Sequence, residues 1–258
     1  MATIGIFDSG SGGLSVYREL AKTLPKERFV YFSDNAHCPY GEKSPEYIRE
    51  RASAITDILL GMGADIIVVA CNTATGAAIS FLRESYPDVP FVGMEPAVKP
   101  AALGTKTGVI GVLATAGTLR GSKYLDTKGK WGGNVRIVEQ VGKGFVELVE
   151  EGKLDGPEVE EVVRRAVSPL KEAGADIIVL GCTHYPFLRP VIQRIAGEDV
   201  RIIDPAPAVA KRTADILVEK GLIQKETVQH LDSVPDGVNS DFYSSGYPDS
   251  MGRILNYL

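Results

Sequence analysis

The chain has 258 residues, room for one large α/β domain or two of ordinary size, and its 44% hydrophobic and 24% charged content excludes a disordered or fibrous protein. A net charge of −5, with 28 Lys and Arg that form no long run, offers nucleic acid no footing as a primary partner. No stretch approaches the roughly 18 apolar residues of a membrane span, and three cysteines far apart suit reduced thiols, so we expect a cytoplasmic protein without membrane contact.

The elements come in a regular order. "TIGIF" reads as a strand, a helix follows "GSGG", "RFVYF" is a second strand, "YIRERASAITDILL" a second helix and "DIIVVA" a third strand. Apolar, β-branched runs alternating with amphipathic stretches predict parallel strands joined by helical crossovers. The run from Ile66 to Ala70 lacks polar alternation, as expected of a strand covered on both faces.

The second half then repeats the first. "GADIIVVACNT" from Gly63 returns as "GADIIVLGCTH" from Gly174, "IGIFDSG" from Ile4 as "IGVLATA" from Ile110, and "MEPAVKPAA" from Met94 as "IDPAPAVAK" from Ile203. Similar βαβ units share vocabulary by chance, but three echoes in one order predict two pseudo-symmetric α/β lobes with mainly parallel sheets and a site in the cleft between them. The lobes fall at 1–96 and 97–206. The remainder reads as a helix through "AVAKRTADILVEKG", two short strands near "VQHLDSV" and "SDFYSSG" and a last helix from "PDSMGRILNYL". Too small to stand alone, 207–258 is assigned to the first lobe.

In such sheets, loops after the C-terminal ends of strands carry the chemistry. Asp8 and Ser9, Cys71, Asn72 and Thr73, Thr115, and Cys182, Thr183 and His184 all fall there. "DSGSGGLS" lacks the spacing of a dinucleotide fingerprint and reads instead as a small-anion site, with Ser9 and loop amides holding a carboxylate and Asp8 turned toward the chemistry. "HCPYG" reads as a turn whose Tyr40 and Gly41 offer an O–H and an N–H. Each of Cys71 and Cys182, taken alone, would pass for a buried hydrophobe. Their matching positions favour an acid and a base on opposite sides of one carbon. Asp8 then serves Cys71, and His184 serves Cys182, because Asp8 matches Ala114 and Thr73 matches His184 across the repeat. A metal held by four of His37, Cys38, Cys71, Cys182 and His184 is the second reading; it lacks zinc-finger spacing and leaves the hydroxyl and amide residues without roles.

"GIFDSGSGGLSV", "PYG", "VACNTA" and "LGCTHYP", in that order, resemble the bacterial glutamate racemases of the aspartate/glutamate racemase superfamily, over essentially the whole chain. The resemblance implies cofactor-independent interconversion of L- and D-glutamate, supplying D-glutamate for peptidoglycan. It makes Cys71 and Cys182 the two bases, assisted by Asp8 and by His184 with a glutamate, Glu150 of "FVELVEEG". It has Ser9, Tyr40, Gly41, Asn72, Thr73, Thr115 and Thr183 hold the substrate's carboxylates and ammonium. No metal and no cofactor are implied, and a homodimer is compatible with it. Where many relatives have Cys-Pro before "FVELVE" this chain has "VGKG", which leaves Glu147 and Glu151 as neighbours competing for the role of Glu150. The chain starts at its first strand, without the extension of relatives that respond to a cell-wall precursor, so that activation is not expected. A racemase of aspartate or another small amino acid, and a two-lobed amino-acid-binding protein, are the alternatives.

Overall fold

The computed structural model describes residues 1–258. Its first half runs β1 (Thr3–Asp8), α1 (Leu14–Thr23), β2 (Arg28–Ser33), α2 (Pro45–Gly61), β3 (Ile66–Val69), α3 (Asn72–Ser85), β4 (Phe91–Gly93). The second runs α4 (Val98–Gly104), β5 (Val109–Ala114), α5 (Ala116–Arg120), α6 (Ser122–Trp131), β6 (Arg136–Val141), α7 (Phe145–Glu150), α8 (Pro157–Glu172), β7 (Ile177–Gly181), α9 (Arg189–Ala196), β8 (Arg201–Ile203). Then come α10 (Ala206–Glu219), β9 (Ser240–Ser244) and α11 (Asp249–Leu255).

All strands pair in parallel, in two sheets of order β4-β3-β1-β2-β9 and β6-β5-β7-β8. Read from its other end, the second sheet is β8-β7-β5-β6, the order of the first without β9. The repeated sequence is thus a repeated topology. Its leading glycine has a physical reason: Gly63 and Gly174 both sit at φ +86°, the left-handed turn that ends one helix and feeds the next strand.

Local chemistry explains the helices between the strands. Ser44 accepts a hydrogen bond from the Tyr47 N–H at 3.2 Å, Pro45 opens α2, and Ile48, Ala52, Ile55 and Leu59 bury one stripe of it. Val159, Val163, Ala166, Val167 and Leu170 do the same for α8. One apolar core reaches across both halves, joining Tyr31 and Val68 to Phe145, Leu180 and Tyr185. No helix is long and apolar enough to cross a membrane.

The segment after residue 206 divides its contacts. Helix α10 lies on α1 and β4, β9 extends the first sheet beside β2, and α11 rests on α7 of the second half. The strand expected at "VQHLDSV" does not form. A short 3-10 turn at Lys225–Thr227 precedes irregular chain, tied by the Gln229 N–H to the Thr23 carbonyl at 2.8 Å. The edge of β2 is taken by β9, and Val228 and Val234 pack this stretch against the core.

Candidate active site

Strand ends and the loops after them converge on one small cavity of about 20 Å³, lined by Ser9, Tyr40, Gly41, Cys71, Asn72, Thr73, Thr115, Thr118, Val146, Cys182, Thr183 and His184, with Pro39 at its side. That is room for about one water. The lobes must therefore part to admit anything the size of an amino acid.

On one side of the cavity, Cys71 caps α3, its Sγ accepting the Ala74 N–H at 3.4 Å and lying 3.8 Å from Ser9 Oγ. A helix N-terminus favours a thiolate, but burial, reinforced by the negative charge of Asp8, outweighs it and pushes the thiol well up. Asp8 is itself fully buried, and burial raises its carboxyl against the pull of the His184 charge and the Gly13 amide. Its Oδ2 accepts N–H bonds from Gly13 at 2.8 Å and Gly10 at 3.3 Å, and Thr183 Oγ1 reaches across the cleft to it at 3.4 Å.

On the other side, His184 Nδ1 lies 3.8 Å from Cys182 Sγ while Nε2 meets Glu150 Oε1 at 2.6 Å. Burial alone would neutralise this imidazole; its bonds to Cys182, Cys38 and Glu150 reverse that and hold it well above the usual histidine range, as an imidazolium. Glu150, which burial would raise, is brought down to about 2 by the His184 bond and charge together with the Ser11 amide. Among the three glutamates of α7 and its end, Glu150 is therefore the one at the histidine. Glu147 faces the outer pocket beside Lys143 and Glu151 pairs with Lys153 at 3.0 Å.

The glycine loop after β1 does something different from the expectation. Its amides are taken by the protein's own carboxylates: Gly10 and Gly13 by Asp8, and Ser11 by Glu150 at 2.6 Å. No loop amide among these is left for a substrate anion; Ser9 alone of the stretch lines the cavity. Close approach also fixes the residue type. A Cβ on Gly10 would collide with Glu150 Oε1, and one on Gly12 with the His184 ring. Tyr40 likewise lines the cavity with its hydroxyl already given to Asp34, a buried carboxylate that Arg51 grips at 2.7 and 3.0 Å. What Tyr40 and Gly41 present is wall and backbone.

The remaining residues are polar and in place. Thr73 Oγ1 meets Thr115 Oγ1 at 3.0 Å and Thr118 Oγ1 at 3.3 Å across the cleft, and Thr115 caps α5 through the Thr118 N–H at 3.2 Å. Both polar side-chain atoms of buried Asn72 lack a partner. Sequence reasoning missed Thr118, whose signal was the capping interval from Thr115, and named Cys38 only within a turn and as a donor in the metal reading; it abuts His184.

Comparison with known proteins agrees with this geometry. The Asp/Glu/Hydantoin racemase family model matches residues 4–213. A glutamate racemase of Stutzerimonas stutzeri is 46% identical over all of this chain and 94% of its own length. Among solved structures, the Escherichia coli glutamate racemase in complex with L-glutamate and the activator UDP-MurNAc-Ala superposes with a TM-score of 0.85, at 33% identity, covering 99% of this chain and 94% of that one. The Francisella tularensis glutamate racemase in complex with D-glutamate gives 0.82 at 29% identity, covering 100% and 94%.

Proposed function

Because the chain belongs to the Asp/Glu/Hydantoin racemase family, we propose that it racemises glutamate with two thiols, Cys71 and Cys182, working on opposite faces of Cα. The observation that carries this reading is their placement at matching strand ends on one cavity, each with its own acid–base neighbour. In each turnover one thiolate takes the Cα proton, the electron pair is delocalised into the α-carboxylate, and the other thiol returns a proton from the far side. The abstracted proton stays on the first sulfur, a different proton leaves the second, and the negative charge passes from the first thiolate to the second sulfur.

The neighbours set the resting state. An imidazolium lies 3.8 Å from Cys182 Sγ, whereas a buried carboxylate beside Cys71 opposes an anion there. Cys71 is thus poised as acid. With the family pattern this assigns proton removal from L-glutamate to Cys182 and from D-glutamate to Cys71. The unpaired amide of Asn72 supports a polar ligand, since a buried amide without partners costs about 1 to 3 kcal/mol. Ser9, Thr73, Thr115, Thr118 and Thr183 surround the same space for the substrate's charged groups, and Tyr40 and Gly41 close it. The water-poor wall raises the reactivity of a thiolate toward a very weak carbon acid.

Glutamate is favoured over aspartate as the substrate because a relative matched over 94% of its length at 46% identity is a glutamate racemase. The family likeness also supports D-glutamate supply for peptidoglycan, in the cytoplasm, as the purpose of the reaction. The test is circular dichroism of separate L- and D-glutamate solutions incubated with the protein in EDTA and no added cofactor. Both signals are expected to decay to zero. Persistence of either, or activity that returns only with zinc, refutes the mechanism.

A further inference from the structure

The cluster behind Cys182 contains more ligands than the racemisation uses. Cys38 Sγ, a carboxylate oxygen of Glu150 and a ring nitrogen of His184 all lie within 4.8 Å of one another. Cys38 does not line the cavity, and nothing in the two-thiol scheme requires it. Burial pushes its thiol up, so at rest it is a protonated bystander at the rim of the Glu150–His184 pair. Cys38 and Glu150 are both only partly buried, which leaves a route from solvent to the cluster.

We infer that Cys38, Glu150 and His184 form an inhibitory binding site for a zinc-like divalent cation. One thiolate, one imidazole and one carboxylate are a zinc donor set, with a fourth position left for water. Around tetrahedral zinc the donor atoms stand about 3.5 Å apart, so small side-chain rotations from the observed spacing close the site. Coordination releases the Cys38 thiol proton and the proton shared by His184 and Glu150 to solvent, and forms bonds from zinc to sulfur, nitrogen and oxygen. The metal is a silencer here and has no part in catalysis. It replaces the His184 imidazolium by a metal-bound imidazole and so takes from Cys182 the acid–base neighbour that the two-thiol scheme gives it. Inhibition rests on the two-thiol reading; binding does not.

The experiment uses the full chain, stripped with EDTA, and the variants Cys38→Ser and Cys38→Ala. Racemisation is followed against added zinc chloride, and cobalt binding is followed anaerobically by the absorption of a thiolate-to-cobalt charge transfer. Expected results are loss of wild-type activity near one equivalent of zinc per chain, recovery in EDTA, and at least a tenfold higher zinc requirement in both variants, each scaled to its own metal-free activity. The cobalt thiolate band is expected in the wild type and absent in both variants. Equal zinc sensitivity of wild type and variants, or a band that persists without Cys38, places the metal on Cys71 and Cys182 and overturns the site. A wild type that takes up no cobalt overturns it as well. If the protein fails to racemise glutamate but shows the Cys38-dependent band, the site stands and the two-thiol reading falls.

Discussion

Cys71 stands beside the buried carboxylate of Asp8 at the N-terminus of α3, whereas Cys182 stands beside the buried imidazolium of His184, which Glu150 holds from behind. Backbone duplication gave both thiols the same position; substitution at flanking sites gave them opposite electrostatic surroundings. In the proposed two-thiol scheme, symmetry of fold would serve reach, one group per face of a carbon, while asymmetry of charge distinguishes the two groups.

Removing either thiol is the severest way to break the comparison. Cys71→Ala and Cys182→Ala are each expected to lower turnover by more than about 10³-fold in both directions, because every turnover needs one group to take a proton and another to give one. Racemisation by either variant near the wild-type rate would mean that the duplicated strand serves packing only. In D₂O the wild type is expected to place deuterium mainly in the product enantiomer during early turnover, read by mass spectrometry after chiral separation.

Disabling one helper sharpens it. The enantiomers have equal free energies, so kcat/KM must remain equal in the two directions whatever is mutated. Asp8→Asn is expected to lower it about 10²-fold both ways. Its one-sidedness shows elsewhere: the isotope effect with α-deuterated D-glutamate rises relative to that with the L form, and His184→Asn does the reverse. Identical changes in both variants would erase the assignment of sides.

Glu150→Gln tests the pair behind Cys182 through stability. The depressed Glu150 carboxyl contributes fully above its ordinary value of 4.5 and loses that contribution as pH falls toward 2. The elevated His184 contributes fully below 6.5 and loses its share as pH rises through its higher folded value. Both are complete between pH 4.5 and 6.5. There the variant is expected to be less stable by about 3 kcal/mol, with the gap narrowing on the alkaline side. Urea unfolding inside the window and about two units above it measures both. The smallest effect is expected from Thr118→Val, which loses hydroxyl contacts worth about 1 kcal/mol and should change KM by less than about tenfold at unchanged kcat.

How much of this was legible beforehand follows from what kind of signal each feature leaves. The two parallel sheets were readable because buried parallel strands must be apolar throughout and because Gly63 and Gly174 mark the same turn. That Cys71, Cys182 and their flanks would line one cavity was readable from their position at strand ends. Glu150 could be named only beside Glu147 and Glu151, since which side of α7 meets His184 is decided by packing that a six-residue helix does not announce. The loop amides were misread because an anion-binding loop looks the same in sequence whether its anion is a ligand or the chain's own Asp8 and Glu150. Irregular chain after Thr227 alternated like a strand while the edge of β2 went to β9 instead.

The cavity of about 20 Å³ also bears on speed. Thr183 to Asp8, Ser15 to the Thr183 carbonyl, Ser11 to Glu150 and Thr73 to Thr115 all tie the two halves shut. Two of those bonds end on Asp8 and Glu150, so the proposed acid–base helpers are also part of the latch. At about 0.5 to 1.5 kcal/mol net for each bond, four of them leave the open form a minor population. Any substitution that gripped the halves harder would position the thiols better and release product more slowly, and turnover would peak at an intermediate grip.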